Sequence, residues 1–233
     1  MMEANPVIAN EHLLTDSRPG EQYGIRKGPV VNYHTDQKPR SWVVDDFYAD
    51  PDSIREFALL QSYFPGEGAV GMRTRKQFLF DGLKEQFESI MGMKILDRTE
   101  KETGWYDEGI NGRFQSCEAG TKMVFHCDHT SYAAIIYMSP DAPTESGTSF
   151  YKHKATGLRH ADDIDWAGAK GSTVFNGKTF VDPTPYEAVD TVGNVYNRLV
   201  IFDGRLIHSG MNYFGWDIPS SRFFQIFFFD VEK

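Results

Sequence analysis

Cys117 and Cys127 are the only cysteines in 233 residues, so no disulfide framework can hold this chain together. Both thiols are expected to stay unpaired in a reducing, cytoplasmic setting. Basic residues are also in the minority, 24 Lys and Arg against 33 Asp and Glu, for a formal net charge of -9. That balance disfavours nonspecific binding to nucleic acid or to an anionic membrane, both of which need basic patches. No apolar run approaches the length of a membrane-spanning helix, and Met1-Met2-Glu3-Ala4-Asn5 offers neither a basic nor an apolar leader segment. Neither secretion nor a membrane partner is therefore expected. Internal repeats and low-complexity blocks are absent as well. What remains is ordinary globular composition: 40% hydrophobic residues and a mean hydropathy of -0.45. Eighteen Phe help bring the aromatic share to 14%, which suits a β-rich core.

Residues 1–28 are polar and punctuated by Gly and Pro, and read as an arm, either flexible or draped over the domain. Residues 29–233 read as one domain, with helical support over about 41–97 and strands over about 111–230. Ser41 to Phe47 is strand-like. Asp50 can then cap a helix that starts at Pro51 and carries Ile54, Phe57, Ala58 and Gln61 at helical spacing. A second helix is predicted from Leu83 to Met91, with Leu83, Phe87, Ile90 and Met91 on one face and Gly92 at its end. From Asn111 the pattern changes to short β-rich segments: Arg113–Cys117, Lys122–Asp128, Tyr132–Met138, Thr148–Tyr151, Ser172–Phe175, Tyr186–Asp190, Arg198–Asp203 and Arg222–Asp230. Helices first and about eight strands after predict an α+β, mainly β fold, built on one sandwich or barrel.

Within those strands, His126-Cys127-Asp128 is followed far downstream by His208 and then by Arg222. Side chains alternate along a strand, so His126 and Asp128 are expected on one face and Cys127 on the other. Two imidazoles and a carboxylate can hold a divalent metal on one triangular face and leave three positions open, the arrangement of non-haem Fe(II) oxygenases. Arg222 could take the far carboxylate of a keto acid in a bidentate grip. Each residue alone is unremarkable; the four in this order are not.

The segment Glu118-Ala119-Gly120-Thr121-Lys122-Met123-Val124-Phe125-His126-Cys127-Asp128 resembles the metal-binding strand of Fe(II)/2-oxoglutarate dioxygenases. So do Ala134–Ser139, Gly147–Phe150, Leu199–Asp203 leading to His208-Ser209-Gly210, and Ser221-Arg222. Their order and spacing are similar to the prolyl-4-hydroxylase-like branch, over residues 111–230 and more loosely Trp42–Leu59. The resemblance implies a double-stranded β-helix, of jelly-roll or cupin-like form, with N-terminal supporting helices. It implies Fe(II) on His126, Asp128 and His208, with 2-oxoglutarate and O2 as cosubstrates. Hydroxylation of a small metabolite, amino acid or peptide would then accompany release of succinate and CO2. Tyr137 falls where some members help the Arg hold 2-oxoglutarate, and Gln115 where the nucleic-acid demethylase branch has a cosubstrate-contacting Asn. Cys117 departs from the Tyr of that branch, and Phe224 from the Ser that many members place two residues after the Arg. Halogenating relatives lack the carboxylate ligand, so Asp128 points away from halogenation.

Other residues carry plainer expectations. His129 should face away from the ligands, and His153 and His160 should be exposed or substrate-facing within a polar insertion, 142–171. Trp105 and Tyr106 could line the mouth or pack in the core, and Arg205 could pair with Asp203 or touch substrate. Cys127 reads as an inert thiol, and Phe223–Phe229 as a core strand. Lid loops are expected at 64–75, 101–110 and 142–171. Two other functions are compatible with the pattern: a cupin-like oxygenase or isomerase without 2-oxoglutarate, and a ligand-binding β-barrel.

Overall fold

The computed structural model describes residues 41–66, 70–97, 103–107, 109–164, 174–175 and 181–232. The expected N-terminal arm lies outside these residues. Strand β1 (Ser41–Val44) leads into helix α1 (Pro51–Leu59), and Asp50 caps it by accepting from the Ser53 N–H at 3.1 Å. Pro51 occupies the first turn, where its missing N–H costs nothing. Arg55 on α1 then donates to the carbonyls of Met138 and Pro219, which fastens the helix to the sheet. Helix α2 (Leu83–Met91) ends where Gly92 adopts a left-handed φ of 69°, as its sequence predicts.

Strands β2 (Tyr63–Pro65) and β3 (Met72–Thr74) precede the barrel strands β4 (Arg113–Cys117), β5 (Tyr132–Tyr137), β6 (Thr148–His153), β7 (Tyr186–Val192), β8 (Leu199–Asp203), β9 (His208–Gly210) and β10 (Arg222–Phe229). One antiparallel sheet has the order β1-β8-β5-β10-β4-β3-β2, and a smaller one has the order β7-β6-β9. From β4 onward the chain passes back and forth between the two sheets, which makes the fold a double-stranded β-helix.

Strand β10 shows how one sequence serves two surfaces. Its Phe223, Phe227 and Phe229 join the cluster that packs Phe87 of α2, while Phe224 and Ile226 face the smaller sheet. Trp105 belongs to the first cluster, stacked on Phe227 at 5.3 Å between ring centroids, so it is core and not mouth. Tyr106 is exposed. Both cysteines are free.

Three expectations change. The stretch 122–128 is not a strand: it makes a single bridge, His126 to His208. The chain turns at 203–206, where the Leu206 N–H reaches the Asp203 carbonyl, and the Asp128 N–H bonds to Gly204 instead of extending a ladder. Of the strand expected at 172–175, residues 172–173 lie outside the described residues, and Val174 and Phe175 are not in a strand. Within the loop expected at 64–75, residues 67–69 lie outside the described residues, and its flanks form the edge pair β2–β3, whose three-residue strands are too short for alternation to announce them. Gly71, at φ 76°, lets β3 approach β4 so closely that a Cβ there would sit 2.1 Å from the Ser116 carbonyl oxygen.

Phe87 is fully buried against Phe47, Trp105, Phe227 and Phe229. Phe87→Ala should therefore lower the unfolding free energy by about 3–5 kcal/mol, measured by denaturant titration.

Candidate metal centre

His126 and His208 meet through their backbones. The His126 N–H donates to the His208 carbonyl at 3.1 Å, and the His208 N–H returns to the His126 carbonyl at 2.9 Å. Each imidazole is then oriented by its own chain: Nδ1 lies 2.9 Å from the Val124 carbonyl in His126, and 2.8 Å from the Leu206 carbonyl in His208. With the proton on Nδ1, each Nε2 keeps its lone pair, and both Nε2 atoms are turned toward Asp128. They lie 3.5 Å from Oδ1 and 3.4 Å from Oδ2 of that carboxylate. One ligand atom from each of the three residues lies within 4.8 Å of the others.

Three observations fit a divalent cation at this point. Asp128 Oδ2 is buried, and no hydrogen-bond donor reaches it. A desolvated carboxylate oxygen left in that state is costly unless a cation sits beside it. Burial pushes His208 down to about 4, helped by the neighbouring His126, so its imidazole is neutral and able to coordinate. Burial works against ionised Asp128, but His208 and His126 outweigh it and the carboxyl is held below its usual range. Two imidazoles and one carboxylate on this geometry favour a transition metal such as iron over magnesium or calcium.

The carboxylate is held from both sides. The Asp128 N–H donates to the Gly204 carbonyl at 2.7 Å, and a Cβ at Gly204 would lie 3.2 Å from Asp128 Cβ and 3.3 Å from Oδ2. Arg205 reaches the Asp128 carbonyl with Nη1 and pairs with Asp162, while its N–H bonds Asp203. Arg205 thus supports the ligand loop and does not line the cavity.

His126, Asp128, His208, Gln115 and Arg222 all border one cavity of about 890 Å³. Arg222 is 2% exposed and pairs with no carboxylate among the described residues. Its Nε donates to the Ser146 carbonyl at 2.7 Å, and Nη2 reaches the Gly147 carbonyl and Thr148 Oγ1. Nη1 has no partner among the described residues. Faces of Phe224, Tyr137 and Tyr213 surround the guanidinium at 4.5, 5.3 and 5.6 Å. Tyr137 stands behind this group, its hydroxyl 2.9 Å from Thr148 Oγ1, and does not border the cavity.

Tyr213 does border the cavity, and burial pushes its hydroxyl up to about 12, so it stays protonated as a potential donor. Arg73 on β3 lies there too, its Nε 2.5 Å from Gln115 Oε1. Neither residue is apparent from the sequence. Tyr213 had a weak signal in its closeness to His208; Arg73 had none.

His129 is exposed at the cavity edge and outside the ligand cluster. His153 and His160 correct their expectation: His153, the last residue of β6, is buried with Nδ1 on Thr156, and His160, bridged to Leu206, pairs with Asp203. Cys127 packs against the apolar cluster of Phe125, Tyr151, Tyr186 and Ile207, and burial pushes its thiol up to about 12, which makes it a poor nucleophile.

The fold and this cluster define a double-stranded β-helix protein with a candidate two-histidine, one-carboxylate metal site. The chain belongs to a family of unknown function, DUF6445, whose sequence model matches residues 28–212. No curated protein matches the sequence. Among solved structures it is similar to HygX from Streptomyces hygroscopicus with nickel, 2-oxoglutarate and hygromycin B bound, at 9% identity and a TM-score of 0.46 over 81% of this chain and 82% of that one. It is also similar to a prolyl hydroxylase from Trichoplax adhaerens in complex with a peptide fragment of hypoxia inducible factor, at 12% identity and a TM-score of 0.43 over 81% and 82% of the chains. A third is the Fe(II)/(alpha)ketoglutarate-dependent dioxygenase TqaL, at 12% identity and a TM-score of 0.40 over 83% and 84%.

Asp128→Ala and His208→Ala should each abolish tight Co(II) binding followed by visible absorption, whereas His129→Ala should leave it intact. Gly204→Ala should weaken binding without removing a ligand, because the new methyl group presses on Asp128.

Proposed function

We propose that this chain is an Fe(II)- and 2-oxoglutarate-dependent oxygenase that hydroxylates a C–H bond of a small metabolite, amino acid or peptide. His126, Asp128 and His208 are its metal ligands in this reading, and Arg222 its cosubstrate anchor. The observation that carries it is Arg222: a desolvated guanidinium in the cavity that holds the candidate ligands, with no partner for Nη1 and no anion of its own among the described residues. A metal site alone gives no reason to bury such a cation. A dicarboxylate bound to the metal at one end does, because its other carboxylate must be matched by charge away from water.

When bound together, iron, 2-oxoglutarate and O2 would supply oxidative decarboxylation to succinate and CO2, coupled to oxygenation of the substrate. The chain's own residues have four tasks. His126, Asp128 and His208 would hold the metal from the wall of the cavity. Arg222 would take the distal carboxylate with its Nη1 edge, while the Ser146 and Gly147 carbonyls hold the other edge still. Thr148, backed by Tyr137, and Tyr213 would offer hydroxyl groups to that carboxylate. Phe202, Phe224, Ile226 and Ile135 line the cavity with apolar surface that would keep water out. Gln115 is engaged by Arg73 and Val70, which favours a support role toward Arg73 over a cosubstrate contact.

Anaerobic addition of Fe(II) and 2-oxoglutarate should produce a visible charge-transfer band. Arg222→Ala should weaken 2-oxoglutarate binding by about two decades or more, on the order of the roughly 3–5 kcal/mol lost when one partner of a buried pair is removed. Fe(II) affinity should remain. Unchanged 2-oxoglutarate affinity in that variant would point to the keto-acid-independent barrel instead.

A further inference from the structure

Arg73 is a second cation in the same cavity, and the cosubstrate does not account for it. It lies on β3 directly opposite Gln115 of β4, and it is 9% exposed. Gln115 is locked in one orientation: its Nε2 donates to the Val70 carbonyl at 2.7 Å, which leaves Oε1 for Arg73 Nε. Only that one N–H of the guanidinium is satisfied. The two Nη groups have no hydrogen-bond or ion-pair partner among the described residues, in contrast to Arg222, whose Nη2 is tied to backbone and threonine. Burial pushes Arg73 below the usual guanidinium range and Arg113 adds repulsion, while the Cys117 thiol and the Asp128 carboxylate act the other way.

We infer that Arg73, held by Gln115, is the docking point for a carboxylate on the substrate. This deepens the reading above and rests on it, since Arg222 is there committed to 2-oxoglutarate. The planar Nη1–Nη2 edge of a guanidinium matches the two oxygens of one carboxylate. Among the described residues no lysine and no other arginine borders the cavity, so the cationic groups suit a single carboxylate better than a phosphate dianion. Val70, Ile110, Ala133 and Ile135 give the surrounding walls an apolar character that fits an aliphatic or aromatic body. The substrate class is therefore a small carboxylic acid with an apolar remainder.

The probes are pools of N-acetyl amino acids and of the matching N-acetyl amino acid carboxamides. Binding to the full-length chain is read by saturation-transfer NMR, first without additions and then with Ni(II) and 2-oxoglutarate. Acids should show transfer and the carboxamides should not. Arg73→Gln should weaken acid binding by about tenfold or more, as loss of a charge-assisted contact implies, with Arg73→Lys retaining part of it. In calorimetry Arg73→Gln should keep its affinity for 2-oxoglutarate. Equal binding of acids and carboxamides, absence of acid binding, or acid binding unchanged in folded Arg73→Gln would each overturn the inference. So would loss of 2-oxoglutarate binding in Arg73→Gln with retention in Arg222→Ala, since Arg73 would then be the cosubstrate anchor. Failure of the underlying reading has its own signature, unchanged 2-oxoglutarate affinity in Arg222→Ala, whatever Arg73 does.

Discussion

The reciprocal pair of backbone hydrogen bonds between His126 and His208 is the contact on which the candidate site depends. It joins two segments more than eighty positions apart and brings their imidazoles side by side, with ring centroids 4.3 Å apart. Everything else at the centre follows from that crossing. The Asp128 carboxylate arrives two residues later, on a turn pinned to Gly204, and the ligands need no strand of their own. A longer ladder would have been redundant; one bridge and one turn suffice.

Much of this was legible in the sequence, for a definite reason. Ligands and their spacing survive translation into one dimension because metal chemistry restricts residue type. Helix α2 was readable to its ends, since Gly92 and the Leu83-Phe87-Met91 stripe mark them. The strand at 122–128 was misread because a stretch carrying Met123, Val124 and Phe125 looks the same whether it pairs once or six times. Strand β3 was missed because three residues hold no period, and Arg73 went with it. Tyr137 does lie beside Arg222, yet its hydroxyl meets Thr148 and does not reach the cavity surface. Non-local packing made those differences, and no window of sequence contains it.

Charge is arranged differently in the whole chain and in its cavity. The chain carries a formal net charge of -9, yet its cavity is bordered by two buried arginines with no carboxylate partner among the described residues, alongside Asp107 and Asp128. Charges inside are weakly screened, so cations and carboxylates held at separate places on the wall each act at full strength on whatever enters. Bulk composition therefore says little about what the cavity can hold.

The register of the larger sheet turns it into a ruler. Arg222 lies opposite Cys117, and Arg73 opposite Gln115, so the two cations root on strands that flank β4 on either side. Two strand spacings separate their backbones, about 9.5 Å, with an offset of two residues along β4 adding about 7 Å. Interstrand hydrogen bonding fixes that interval, and side-chain motion can trim it only at the tips. The distance between any two groups held by these guanidiniums is therefore set by the rungs they stand on, since the sheet cannot stretch.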